Sequence, residues 1–364
     1  MRPEPFVRGG IVAALVALPA CSTLADSGGG DVALPNAGAG PFREIGQLEL
    51  GNNRAAPNVL KNDDAFPRDL SVVDTDGDVR TLESWGYVAH TQVADGAEPD
   101  PTAPSNAIAR YLASDGRSFE RQFDVVLEPE LDWEADTIGS PCALTMGSEI
   151  WLYYATPSGI GLARSPDGLA FQRLDQPVLA PQSDGWERGV GPASPSVVAH
   201  PAGGFRMFYE IRRSAEEAAI GEASSPDGVV WQRLGAGPVL APRDGSVDPR
   251  YDDASVGAPH ALFWHSAEGR MILWLYYAAE DRAGRRTIGV AARTGADEPF
   301  QRAATPVFGS SGSLGPSEPW VMRYEAFALL FVTQRAGSTD SQAYPAVAGG
   351  VAPATAVLPP PVSD

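Results

Sequence analysis

The sequence is poor in basic residues, cysteine, histidine and long apolar runs. Lys and Arg number 27 against 46 Asp and Glu, a formal charge of −19, and Lys61 is the single lysine. So acidic a chain repels phosphate backbones, which argues against a nucleic-acid partner. Cys21 and Cys142 are the two cysteines, too few for a disulfide framework. His90, His200, His260 and His265 share no metal-ligand spacing, so neither a metal nor another cofactor is expected. Phosphate-loop, dinucleotide and nucleophile-elbow motifs are missing. No eighteen consecutive apolar residues occur, so no membrane-spanning helix is expected. Abundant instead are 39 Gly and 33 Pro, which interrupt helices along the whole chain and favour an all-β architecture with many turns.

The first twenty residues read as a targeting segment. Arg2 and Arg8 give a positive start, and Ile11–Ala20 is an apolar run too short to span a bilayer. It ends Leu18-Pro19-Ala20-Cys21-Ser22, which resembles a bacterial lipobox. The resemblance implies removal of residues 1–20 and lipidation of Cys21, with acyl chains holding the protein to a lipid bilayer. Ser22, rather than Asp, follows the cysteine, so the resemblance favours the outer over the inner membrane of the cell envelope. Residues 21–41 are rich in Gly, Ala, Ser and Asp and read as a flexible tether.

The remainder repeats. Ser165-Pro166-Asp167-Gly168 recurs as Ser225-Pro226-Asp227-Gly228, each followed by an aromatic (Phe171, Trp231), then Gln-Arg-Leu and Pro-Val-Leu-Ala-Pro. Looser copies stand at Ser114-Asp115-Gly116 and at Phe300-Gln301-Arg302, and a degraded one at Phe42–Ile45. The Pro-Val-Leu signature starts at 57, 125, 177, 238 and 306, a period of roughly sixty residues that suits a propeller blade with long loops.

Four strands are expected per repeat. Pro67, Pro141, Pro195, Pro259 and Pro319 open the first of them. Aromatic and branched runs such as Ile150–Tyr154 and Phe205–Tyr209 form the second. Ile-Gly-x-Ala forms the third, and the Phe/Trp-Gln-Arg stretch the fourth, with the Asp-Gly turn between the last two. Phe42–Ile45 is then a fourth strand without a blade of its own, and the last repeat, after 343–350, has no fourth strand. The expected fold is a five-bladed β-propeller over 42–351, with four-stranded antiparallel blades and a ring closed by the N-terminal strand. Residues 352–364 read as a Pro-rich tail.

Ser-Pro-Asp-Gly-x-x-Trp, Pro-Val-Leu-x-Pro, Trp-Glu ahead of a Pro-opened strand, Tyr-Tyr and Ile-Gly-x-Ala together resemble the five-bladed propellers of the glycoside hydrolase family 43 and 32 group. The Asp-Gly turn is also similar to the Asp-box of sialidases, at a different spacing. The resemblance implies three carboxylates from different blades around one end of the channel, two of them flanking the scissile bond. Burial and like-charge proximity can set such carboxyls' pKa values apart.

Strand alternation would place the residues on either side of each opening proline on the channel face: Phe66 and Arg68, Ser140 and Cys142, Ser194 and Ser196, Ala258 and His260, Glu318 and Trp320. Glu318 breaks the small-residue pattern and is the leading catalytic candidate. It is expected either to pair with Arg68 or His260 or to titrate high, because a lone buried carboxylate is costly. Asp64, Asp136 and Asp253 enter first strands and are further catalytic candidates. Arg68, His260, Trp320 and Trp186 are candidate ligand contacts, the tryptophans as platforms for sugar rings. The repeated pairs Trp133-Glu134, Trp186-Glu187 and Tyr251-Asp252 read as loop anchors, because a repeated residue builds the blade. Asp74–Asp78 reads as a hairpin turn, lacking the later Glu of a calcium loop. Cys142 reads as a small buried thiol.

Two functions follow from different classes. One is a tethered propeller that binds carbohydrate or a similar small polar ligand at the channel mouth without a complete catalytic set. The other is an active glycoside hydrolase using Glu318, Asp64 and one of Asp136 or Asp253. The address is testable by itself. Cys21→Ser is expected to leave the precursor uncleaved and out of the membrane fraction, and equal membrane association of both proteins in fractionated cells contradicts lipidation.

Overall fold

The computed structural model describes residues 125–214, 217–246, 250–265, 271–295, 298–309, 314–323 and 327–336, together with strands at 43–44, 54–61, 72–74, 80–82, 84–90, 106–113, 119–121 and 351–357. Cys21 and the rest of residues 1–41, with Asp64, Phe66 and Arg68, lie outside them.

Five antiparallel sheets form the blades, four of them four-stranded, while blade four has the same four strands and a short fifth, Phe308–Gly309, paired with its third. Their inner strands are Arg54–Lys61, Gly139–Met146, Ala193–Ala199, Ser255–His265 and Leu314–Arg323. Each touches the next, and the fifth touches the first, so they surround a central axis. The fourth strands of blades two to four are the Gln-Arg dipeptides 172–173, 232–233 and 301–302. Ring closure follows the sequence pattern: Arg43–Glu44 pairs with Val351–Val357 as the outer strand of blade five. Strand pairing therefore extends beyond 351, into the stretch read as tail. The third strand of that blade is 351–357 and not 343–350.

One expectation about blade one is overturned. Its inner strand holds Pro57, not Pro67, because the Arg54–Lys61 strand pairs with Ser84–His90 at the inner edge of the sheet. The Pro57-Asn58-Val59-Leu60 signature is thus the inner strand itself. The residues between it and the second strand include a pair of short strands, Val72–Asp74 against Arg80–Leu82; residues 75–78 of the expected Asp74–Asp78 turn lie outside the described residues.

Strict alternation also fails along the inner strands. Every one carries a register shift at its proline: between 55 and 58, 139 and 142, 193 and 196, 257 and 260, and 317 and 320. The residue before the proline has a left-handed backbone in Ser140, Ser194, Ala258 and Glu318, with φ of 43–50°. This is a β-bulge, in which two residues oppose one and the local twist increases. The two residues flanking the proline consequently leave the common face, and only the later one turns into the barrel of inner strands.

Those later residues latch neighbouring blades. Cys142 Sγ accepts the Val197 N–H at 3.3 Å, Ser196 Oγ accepts the Ala261 N–H at 2.8 Å, and His260 Nε2–H donates to the Val321 carbonyl at 3.1 Å. Each partner sits one register step further on in the next blade. The Asp-Gly turns make the outer latches. Asp167 Oδ1 accepts the amides of Leu169 and Ala170, which holds the turn, and the Gly168 carbonyl receives the hydroxyl of Tyr87 from blade one. Gly228 receives Tyr153 from blade two in the same way at 2.8 Å.

The aromatic–acid pairs anchor blades two to four from inside. Glu134 accepts from Tyr154 at 2.6 Å, Glu187 from Tyr209 at 2.5 Å, and Asp252 from Tyr277 at 2.9 Å. The fourth-strand arginines complete each set: Arg173 Nε stands 3.4 Å from Glu134, Arg233 donates to Glu187 at 2.7 Å, and Arg302 to Asp252 at 3.0 Å. The same arginines reach the preceding connection, donating to the carbonyls of Glu128, Ala180 and Ala241. Gly161, Gly221 and Gly289 lie under the tyrosines, where a Cβ would come within 2.3–2.5 Å of each ring. The repeated Ile-Gly-x-Ala is therefore a packing requirement.

Arg233→Ala leaves Glu187, 1% exposed, with a buried charge and one donor fewer. It is expected to destabilise the propeller by about 3 kcal/mol. Tyr209→Phe removes one hydroxyl and is expected to reduce stability by about 1–2 kcal/mol. Denaturant titration measures both, and near-zero changes would remove the clamp from any account of the fold.

Candidate functional site

Charged departures from the blade repeat gather where the inner strands of blades three to five begin. In blade three the second strand, Phe205–Arg212, continues past the clamp tyrosine into Glu210. Blades two and four have Ala155 and Ala278 at the equivalent register. Glu210 is 5% exposed, and both its oxygens are engaged. Oε1 accepts from Arg212 Nε at 2.5 Å, and Oε2 accepts the Ala258 N–H of blade four at 2.6 Å. Gly257 leaves room for this carboxylate, since a Cβ there would lie 2.3 Å from Oε2.

Blade four contributes Glu280, at the end of its second strand, which accepts from Arg286 Nε at 2.9 Å. Arg286 packs against Gly315 at the start of the inner strand of blade five, where a Cβ would be 2.4 Å from the Arg286 Cβ. Blade five contributes Glu318, half-buried on its bulge. Burial works against the charge of Arg212, but Glu210, Glu280 and Glu318 together outweigh it and raise its pKa above the ordinary guanidinium value. Three carboxylates from three blades thus share the field of one arginine whose side chain is 41% exposed.

The other sequence candidates do not join this group. Asp136 is exposed in the connection to blade two. Asp253 is buried and holds the backbone, accepting the amides of Arg250 and Arg282 at 3.2 and 3.0 Å. His260 does not pair with Glu318: it is 4% exposed, tilts against Trp320 with ring centroids 4.1 Å apart, and bonds the Val321 carbonyl. The bulge is the reason, since it separates the directions of 258 and 260. Trp320 and Trp186 are half-buried against the core shared by blades two and three, and the Trp186 carbonyl accepts from Arg213. Cys142 is buried, and burial raises its thiol pKa to about 12, so it is an unreactive packing group.

Glu210, Arg212 and Glu280 were missed by sequence reasoning, which followed the first strands alone. A signal was available: Tyr209-Glu210 stands where the other repeats read Tyr154-Ala155 and Tyr277-Ala278. Among the described residues, no group of three or more His, Cys, Asp and Glu side chains is arranged to hold a metal ion.

No protein-family model and no curated protein matches this sequence. Solved structures do match in fold. A thermostable family-43 glycoside hydrolase superposes with a TM-score of 0.57 at 14% identity, over 84% of this chain and 89% of that one. The β-1,2-mannobiose phosphorylase from Listeria innocua, in complex with β-1,2-mannobiose, gives 0.54 at 14% identity, over 87% and 91%. The family-43 endo-arabinanase from Bacillus licheniformis gives 0.53 at 13% identity, over 86% and 96%. The chain has the glycosidase-like five-bladed propeller fold.

The axis of the ring carries its own pH dependence. Burial lowers the His260 pKa from 6.5 to about 3, outweighing the bond to Val321. Between those values the unfolded chain binds a proton that the folded chain refuses, so stability falls as pH falls through the window and is constant above it. Replacing the imidazole with His260→Gln is expected to remove this component, worth about 1.4 kcal/mol per pH unit inside the window. Native and variant stability curves of equal slope would show that His260 protonates without unfolding.

Proposed function

We propose that this protein is a lipid-anchored cell-envelope protein whose propeller binds carbohydrate at the mouth formed by Glu210, Arg212, Glu280 and Glu318. The observation that carries this reading is the engagement of the carboxylates. Glu210 has an arginine on one oxygen and a backbone amide on the other, and Glu280 is held by Arg286. A general acid must hand over a proton from an oxygen that reaches the glycosidic bond, and Glu210 has neither oxygen available. The same arrangement suits binding. Glu318, the least buried of the three carboxylates, accepts from sugar hydroxyls, and the half-exposed Arg212, held in place by Glu210, donates to them through charge-assisted bonds.

The mouth sets three carboxylates against Arg212 and Arg286, on a chain of formal charge −19. Neutral sugars are therefore favoured over uronic acids, which bring a further negative charge. The lipobox-like Cys21 supports anchoring at a bilayer surface, and Ser22 favours the outer membrane.

Hydrolysis is the second reading, and one observation favours it: carboxylates of three different blades meet around Arg212, and paired carboxyls are the usual agents of glycoside cleavage. Calorimetry of the mature protein with soluble arabinan, xylan and mannan fragments, alongside a galacturonan, separates the two. Neutral fragments are expected to bind, with Glu318→Gln weakening them about ten-fold, or ~1.4 kcal/mol. Release of reducing ends that disappears in Glu318→Gln while binding persists would establish the hydrolase instead. If no fragment binds and none is cleaved, both carbohydrate readings fall.

A further inference from the structure

The second strand of blade three carries a charged departure at each end. Arg212 serves the mouth, and Arg206, six residues earlier, lies about 20 Å away at the opposite face. Arg206 occupies the register of Trp151 in blade two and Trp274 in blade four. Its partner Glu222 stands where those blades have Leu162 and Val290. Arg293 of blade four stands where Ser165 and Ser225 open the Asp-Gly turns. A buried polar group thus replaces apolar and small residues at the one junction between blades three and four.

Its charges do not cancel. Glu222, 4% exposed, accepts from Arg206 at 3.3 Å and from Arg293 at 2.5 Å with the same oxygen. Two guanidinium groups therefore share one carboxylate. The Arg293 side chain is 4% exposed, and its Nε–H has no partner among the described residues. Phe300 covers Arg293, the guanidinium lying 4.5 Å from the ring centre. A crevice of about 40 Å³ opens here, walled by His200, Arg206, Phe263, Leu273, Arg293 and Thr294. His200 Nδ1 accepts the Ala202 amide, which leaves Nε2 as the protonated nitrogen. Burial, then Arg206 and Arg293, lower its pKa, so the ring stays neutral beside the two arginines. Glu298, which follows in the chain, is exposed and occupied by the Thr294 hydroxyl and the Gly295 amide.

We propose that this crevice binds a small inorganic anion of halide size, which completes the Arg206–Glu222–Arg293 cluster and ties blade three to blade four on the face opposite the carboxylate mouth. The volume exceeds that needed for one water and is too small for a sugar. A bound monovalent anion neutralises the excess cation, supplies an acceptor for buried N–H donors, and stabilises the folded chain by mass action. The inference is independent of what the mouth binds.

Chloride and bromide are the probes. Unfolding of the mature protein in sodium chloride is compared with sodium gluconate at equal ionic strength. Chloride is expected to raise the midpoint in a saturating manner, and crystals soaked in sodium bromide are expected to show anomalous density in the crevice. Arg206→Trp restores the residue of the neighbouring blades and leaves Arg293 and Glu222 as a balanced pair. It is expected to abolish the chloride-specific shift, and Arg206→Gln to do the same. Equal midpoints in chloride and gluconate, a shift retained by both variants, or a crevice without bromide would each overturn the site. Should a variant fail to fold, bromide density in the native protein decides.

Discussion

A carboxylate shut away from water persists only when its oxygens are filled by donors, and three such carboxylates set the geometry of blades two to four. Glu134, Glu187 and Asp252 come from connecting segments, their tyrosines from second strands, and their arginines from fourth strands. Each cluster therefore ties the entry of a blade to its middle and to its outer edge. Because the arginine also binds a carbonyl of the preceding connection, it fixes the blade against its neighbour. The fourth strands are two residues long and could not hold the outer edge by ladder bonds alone. The Gly beneath each tyrosine, the Gln-Arg dipeptide and the aromatic–acid pair are one device seen at three places in the repeat.

That device leaves the inner strands free to vary. Every inner strand bulges at a proline, and the bulge separates two positions with different duties. The residue after the proline joins the next blade along the axis, as Cys142, Ser196 and His260 do. The residue before it stays near the mouth, where Glu318 alone among the described copies carries a charge. Glu210 and Glu280 reach the same region from the ends of second strands. The mouth is thus built by residues that the clamp does not constrain, which is why it can differ from blade to blade while the ring keeps its shape.

Polar substitutions for repeat residues concentrate on blades three and four and serve opposite faces. At the mouth they gather carboxylates around Arg212. At the far end they gather arginines around Glu222. One strand of blade three contributes to both, so a rigid element eight residues long connects two sites of opposite local charge.

The sequence by itself determined the number of blades, the strand content of blades two to four and the closing role of the N-terminal strand. These depend on local signals that recur: Asp-Gly turns, aromatic runs and the Ile-Gly-x-Ala contact with a tyrosine. It misplaced the inner strand of blade one, because an inserted pair of short strands separates that strand from its partner and Pro67 imitates the repeated proline. Glu318 was legible as a departure from the repeat. Glu210 left the same kind of signal in its departure from Tyr-Ala, but the convergence of the acids was not legible, because strand alternation carries no information about a bulge and a chain position says nothing of which blade a side chain faces. Only the tertiary structure decided that Glu210 and Glu280 meet Glu318 across three blades, and that His260 turns away from them to Trp320 and Val321. Charges dozens of residues apart in the chain find each other through the closure of a ring, a constraint that no local pattern encodes.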